Sequence, residues 1–424
     1  MTMLSVEQGV TSPAIHVYGQ PRLLAGVAEH SRVDFDHHVS LHGALTLRRR
    51  SWLSKALNGV NMLGRGGGAF PVGIKFDAMP QGSSAVVLVN GSEGEPASMK
   101  DRVLMRTAPH LVIDGALIVA HALGTRRITI AVHDRAAHDS LRAACKERRD
   151  AHRIVLNKAS NGFVGGEIRA VINGLNGSAA VPGGRRILPI RHGIGERPTF
   201  ASNVETFAQI GLLAGLGVSE FSHVGSADEP GTTLLTMIGD VPFPGVVEVP
   251  IGVPISALLP SPGGAPILIG GYHGTWIGNA DGLVVNRAQL KAAGVPLNAG
   301  VIARTSPGTC VVSEIVRVSD WLAGESAGQC GPCFFGLPAI ASGIAAIAAG
   351  GGVEPHFRLH RHLDVVPGRG ACAHPDGSVQ FVRSALSVLD REFDLHAEHG
   401  TCGCPAVDIL PLPLSGPYPM LGTS

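Results

Sequence analysis

From about Ser84 the chain alternates continuous apolar runs with stretches whose apolar residues recur every three or four positions. SSAVVLVNG (Ser83–Gly91), RRITIAV (126–132) and HRIVLNKA (152–159) read as buried strands. PHLVIDGALIVAHALG, DSLRAACKERRD and EIRAVINGL read as the helices between and after them. Apolar strands separated by helices predict a parallel sheet covered on both faces, and hence an α/β N-terminal domain over residues 1–220. Beyond GVSEFSHVGSADEPG the texture changes to short β-type runs, TTLLTMIGD, GVVEVPIG and APILIGG, broken by Pro and Gly. This predicts a small β-rich domain over 225–308. Helical periodicity returns at Val311 in VVSEIVRVSDWLAGESAG and later in SVQFVRSALSVLDREFDLH, which predicts a C-terminal helical bundle over 309–400. The last stretch, 401–424, holds five prolines and is expected to be an extended or loose tail.

Phe334–Val353 is a run of twenty residues without a charge, long enough to cross a bilayer. Ala and Gly dominate it, so a buried helix packed through small residues is the expected form, and no transmembrane segment is expected. A chain of 424 residues exceeds the roughly 250–300 that one core supports, in keeping with several domains. Lys+Arg 34 against Asp+Glu 33 leaves a net charge of +1, which excludes a nucleic-acid-binding role driven by charge. The seven cysteines are few, odd in number and mostly late in the chain, a pattern of reducing compartments rather than of disulfide scaffolds. No basic start followed by an apolar run marks a signal peptide, so a cytoplasmic location is expected.

Three strings carry candidate chemistry. GRGGGAFPVGIKF, Gly64–Phe76, puts four glycines into five positions. Such backbone lets a ligand approach closely and can turn successive N–H groups toward an anion. It fits neither the dinucleotide fingerprint nor a Walker loop, because no clear strand precedes it. VNGSEGEPASMKDR, Val89–Arg102, begins where the first strand ends, the place where open α/β sheets bind ligands, and puts Asn90, Glu93 and Glu95 there. Cys330 and Cys333 form C-x-x-C, which holds one edge of a metal or iron–sulfur centre or forms a redox dithiol.

Taken in order with GFVGGEIRAVINGLNG, RPTFASNVET, ESAGQCGPC and CAHPDGS, these strings resemble the NADH-binding, FMN-carrying flavoprotein subunit of respiratory complex I and the related diaphorase subunits. The resemblance covers nearly the whole chain. It implies FMN in the first domain, NADH stacking on it, a middle β-grasp-like module, and a [4Fe–4S] cluster in the helical domain. Electrons would leave for a ferredoxin-like or other redox subunit, with the protein peripheral to a membrane complex. The residues matched to cofactor positions are Gly64, Arg65, Gly66, Gly67, Phe70, Lys75, Asn90, Glu93, Glu95, Gly166, Glu167, Asn203 and Thr206. Hydride transfer needs the donor carbon positioned and water excluded rather than an acid or base, so these residues position and none is a catalytic acid, base or nucleophile.

The chain departs from the family pattern at several places. Ser92 and Ile168 stand where the family has carboxylates, and Ala78 and Leu188 stand where it has adenine-stacking aromatics. Ala327 replaces one cluster cysteine, leaving Cys330, Cys333 and Cys372. The fourth ligand is then a non-cysteine residue, with His374 and His399 nearby in sequence, or one of Cys402 and Cys404, or else no stable cluster forms. Cys145 and Cys310 read as structural. These departures leave two alternatives open: a flavin and iron–sulfur relay with a degraded NADH site, and a cofactor-free scaffold subunit.

Overall fold

The computed structural model describes residues 3–6, 13–82, 84–184, 188–259 and 264–413. Ser83, at the head of the first expected strand, and 414–424 of the expected tail lie outside the described residues. In chain order, β1 (Met3–Val6) and β2 (Ile15–Tyr18) precede α1 (Phe35–His42), α2 (Arg50–Gly59) and α3 (Val72–Asp77). There follow β3 (Val86–Gly91), α4 (Lys100–Thr107), α5 (Pro109–Leu123), β4 (Ile128–Val132), α6 (Arg135–Glu147), β5 (Ile154–Lys158), α7 (Ile168–Leu175), β6 (Thr199–Asn203) and α8 (Val204–Phe221). The β-rich region comprises β7 (Thr232–Gly239), β8 (Gly245–Pro250), β9 (Ile267–Ile269), β10 (Thr275–Ile277), α9 (Arg287–Ala292) and β11 (Val301–Arg304). The chain then turns helical through α10 (Val311–Gly324), α11 (Leu337–Ala348), α12 (Val353–Val365), α13 (His374–Val388) and α14 (Asp390–His399).

The parallel sheet expected from the apolar runs has the order β5-β4-β3-β6. Its helices start where local chemistry says they should. The Asp134 carboxylate accepts the Ala137 N–H at the head of α6, the Glu167 carboxylate accepts the Arg169 N–H at the head of α7, and Pro109 opens α5. Helices α5 and α8 pack so closely that a methyl group on Gly115 would lie 1.8 Å from the Phe207 carbonyl oxygen, so only glycine fits there.

The second sheet is mixed, in the order β1-β2-β8-β7-β11-β9-β10. Its first two strands come from the N-terminus, β2 pairing parallel with β8. Residues 1–220 therefore do not form a self-contained unit: the first strands belong to the sheet of the β-rich region. No pattern in the sequence marks such a long-range pairing.

Among the described residues no single helix is long and apolar enough to cross a membrane. The uncharged run from Phe334 to Val353 is a π-helical turn at Pro332–Gly336, then α11, whose Leu337, Ile340, Ile344 and Ile347 are buried. The last helical run is two helices, separated at Leu389. The described part of the tail, 401–413, is held against the helices. Leu410 is fully buried, its N–H donates to the Glu314 carboxylate at 3.0 Å, and Arg317 donates to its carbonyl at 2.5 Å.

Candidate functional site

After β5 the chain returns to the far side of β3 to form β6, so the direction of winding reverses between β3 and β6. Open α/β sheets bind their ligands at the carboxyl edge of that switch point. Asn90 and Asn203 are paired directly across these two strands at that edge. Two residues separated by more than a hundred positions, both matched to cofactor positions, thus stand side by side.

The glycine loop closes over this point. Gly64 N–H donates to the Phe70 carbonyl at 3.0 Å, pinching the loop into a lasso, and Ala69 takes a positive φ of 42° inside it. A methyl on Gly66 would lie 3.8 Å from the Asn203 Cβ, whereas methyls on Gly67 and Gly68 would meet nothing within 4 Å. The loop therefore rests on the end of β6 and presents bare main chain to open space. Phe70, at the end of the lasso, is 51% exposed. Ala78 and Leu188 are exposed as well.

The polar residues around the lasso divide by what their side chains touch. Asn90 donates to the Gly166 carbonyl at 2.9 Å, while Ser92 Oγ donates to the Asn90 amide oxygen at 2.6 Å and sets its orientation. Asn203 donates to Asp101, and Thr206 Oγ1 donates back to the Asn203 oxygen while accepting the Arg65 backbone N–H at 2.9 Å. The Lys75 ammonium has the Ala201 carbonyl at 3.0 Å, and burial pulls its pKa down to about 8. A cationic group with a single neutral acceptor is the sort of donor an anionic ligand would stabilise. Gly166 allows two loops to touch: a methyl there would come within 3.0 Å of the Gly94 main chain. Glu167 caps α7, and burial raises its carboxyl above the usual range.

Three of the matched residues have partners within the protein itself. The Glu93 carboxylate accepts the backbone N–H groups of Asp101 at 2.8 Å and Arg102 at 2.9 Å, and so caps α4. Arg65 is 1% exposed, and its guanidinium pairs with Glu229 and lies 3.9 Å from Glu205. It anchors the lasso from beneath. Glu95 is drawn toward the second sheet, accepting the Tyr272 N–H at 3.0 Å, and burial raises its carboxyl to about 7.

The sequence reading missed the buried charge network below the lasso. Arg65, Lys100 and Arg287 alternate with Asp101, Glu205 and Glu229: Lys100 reaches Asp101 at 2.8 Å and Glu205 at 3.1 Å, and Arg287 reaches Glu229 at 3.4 Å. Three positive and three negative groups balance, as burial requires. The members come from five separate stretches of chain, so no spacing rule could have found them. The KDR string at Lys100 is the one hint.

In the helical region Cys330 and Ser326 are the side-chain neighbours of the Cys333 thiol, with Cys372 further off, and burial followed by the neighbouring thiols raises its pKa. His374 is committed elsewhere: Nε2–H donates to the Leu322 carbonyl at 2.9 Å, which leaves Nδ1 to accept from His273 at 3.0 Å. His399 is an exposed residue of the last turn of α14. Glu325, next to Ser326, accepts the Phe163 N–H at 2.7 Å, so the loop that carries Gly166 touches the loop before the cysteines.

The lasso over the switch point and the cysteines of the helical region are the two candidate sites of a flavin and iron–sulfur redox protein. Comparison with known proteins agrees. Residues 58–212 match the Nuo51 FMN-binding domain, and residues 314–396 match the NADH-ubiquinone oxidoreductase-F iron-sulfur binding region. The chain is 30% identical over 365 residues to the NADH-quinone oxidoreductase F subunit of Salmonella typhimurium, covering 78% of this chain and 81% of the relative. It is 28% identical over 371 residues to the second NADH-quinone oxidoreductase F subunit of Rhizobium meliloti, covering 81% and 88%. A chain of an NAD+-reducing [NiFe]-hydrogenase in the H2-reduced state has the same fold, with a TM-score of 0.77 at 23% identity over 92% of this chain and 68% of that one. The protein belongs to the family of NADH-quinone oxidoreductase F subunits.

Proposed function

We propose that this protein oxidises NADH at an FMN held beneath the glycine lasso and delivers the electrons, through a [4Fe–4S] cluster, to another subunit of a larger redox assembly. The observation that carries the reading is the pairing of Asn90 with Asn203 at the switch point under main chain without side chains. FMN supplies an acceptor for the two electrons of a hydride that can release them one at a time, and the cluster supplies a one-electron carrier.

The residues fit both groups. Open space over Gly67 and Gly68 admits a flat ring system, and Asn90, oriented by Ser92, offers an amide to its polar edge. Lys75, with Asn203 and Thr206 at the start of α8, would hold the phosphate: the ammonium supplies charge and the helix start supplies N–H groups. Phe70, 51% exposed, offers a face on which the adenine of NADH stacks. Cys330, Cys333 and Cys372 would supply three thiolates to the cluster, and Ser326, a neighbour of the Cys333 thiol, would offer an oxygen in the place left by Ala327. The Phe163–Glu325 contact supports electron passage from one site to the other, because it keeps the two loops together. The β-rich region, in this reading, is the β-grasp-like module of the family. Family membership disfavours a relay without NADH and a cofactor-free scaffold.

The test is an anaerobic absorption spectrum with flavin and iron quantitation, followed by rapid mixing with NADH. Bound FMN, stoichiometric iron and bleaching of the flavin band within seconds support the assignment. Protein that takes up no FMN overturns it.

A further inference from the structure

Outside both sites, a second group of soft ligands has been assembled by the tertiary fold. The ligand atoms of Cys310, His396 and Cys402 all lie within 4.8 Å of one another. They come from the start of α10, the last turn of α14 and the tail. We propose that these three residues, with Cys404, bind a zinc ion that fastens the C-terminal tail to the helical bundle.

The ring of His396 is already in the ligating form. Nδ1 lies 2.9 Å from the Ala348 carbonyl, which can only accept, so Nδ1 carries the proton and Nε2 carries the lone pair. Nε2 faces Cys310 Sγ at 3.2 Å. A ligating histidine whose other nitrogen donates to a backbone carbonyl is the arrangement that orients imidazoles at metal sites. The Cys402 thiol reaches both Cys310 and Cys404. Two residues apart across Gly403, whose φ is +78°, Cys402 and Cys404 project from one tight turn.

The backbone holds these groups in place without the metal. Gly400, in the left-handed conformation, ends α14 and turns the chain back. Cys310 N–H donates to the Pro405 carbonyl at 2.8 Å, and Cys310 bridges to Ala406. Two thiols and one imidazole with ligand atoms within 4.8 Å of one another, joined by the Cys404 thiol two residues on, make the donor set of a closed, structural zinc site, and soft sulfur with imidazole selects zinc over magnesium or calcium. Binding releases the thiol protons to water and leaves no open position, so the ion has no part in electron transfer. Cys330, Cys333 and Cys372 are not among its ligands, so the site is independent of the flavin and cluster assignments.

Metal analysis of the full-length protein, purified anaerobically, tests the proposal. The expected result is about one zinc per chain, falling below about a tenth in Cys402→Ser and His396→Ala while iron and flavin stay at wild-type levels. On the unaltered protein, Cys402 and Cys404 should resist iodoacetamide until a zinc chelator is added, with Cys145 labelling the same in both conditions. Cobalt(II) in place of zinc should give thiolate charge-transfer and tetrahedral ligand-field bands. Zinc-free protein, zinc retained in Cys402→Ser, iron lost with that substitution, or a disulfide between Cys310 and Cys402 each overturns it.

Discussion

Replacing Arg65 with methionine separates an anchor from a ligand contact. The guanidinium is 1% exposed, pairs with Glu229, and has its Nε 3.9 Å from Glu205. At that separation, an effective dielectric near 20 gives roughly 4 kcal/mol of attraction to Glu205 alone. Part of this is offset by the cost of burying the cation, and breaking a buried pair by removing one partner costs a net ~3–5 kcal/mol. Glu229 keeps the Arg287 backbone N–H at 2.8 Å and Arg287 Nη1 at 3.4 Å, so the expected loss lies at the lower end, about 3 kcal/mol. Denaturant unfolding of Arg65→Met, Glu229→Gln and the double variant, each without added flavin, measures it. The two losses should not add: the double variant should be more stable than their sum by about 1–3 kcal/mol. Flavin affinity should fall with stability, because the lasso loses its anchor. If Arg65→Met unfolds within ~0.5 kcal/mol of the unaltered protein yet no longer binds FMN, the side chain touches the cofactor and the anchoring argument is wrong.

Three further outcomes follow from the same geometry. Lys75→Met should weaken FMN binding by about 10- to 100-fold in a fluorescence titration, the value of one charged hydrogen bond, and unchanged affinity would remove Lys75 from the phosphate site. Burial raises the Glu95 carboxyl from 4.5 to about 7, so the folded chain keeps a proton that the unfolded chain has lost between those values. Stability should therefore fall as pH rises through that window, and melting midpoints of Glu95→Gln should lack this component; parallel pH profiles for the two proteins would contradict it. Ser326→Ala should lower iron retention and change the electron-spin resonance of the reduced protein while zinc content stays constant; a spectrum and iron content identical to the unaltered protein would mean that another group completes the cluster.

Much of the architecture was legible because it rests on local pattern. The continuous apolar runs at Val86–Val89 and Ile128–Val132 can only be strands covered on both faces, and the three- and four-residue spacing between them can only be helix, so the parallel sheet followed from hydrophobic burial alone. The lasso was legible for a related reason: the consecutive glycines of Gly66–Gly68 have no use in a helix or strand, so they mark a place where main chain must stay bare. What the sequence could not express were the meetings of distant segments. It did not place β2 beside β8, put Arg65 over Glu229, set Glu93 to cap α4, or bring Cys310 to His396 and Cys402. Each of these joins residues far apart in the chain, and the choice among partners is made by which arrangement buries the apolar faces without stranding a charge or a donor. That condition exists only once the whole chain has packed, which is why local composition identified the chemistry and the tertiary structure decided which groups perform it.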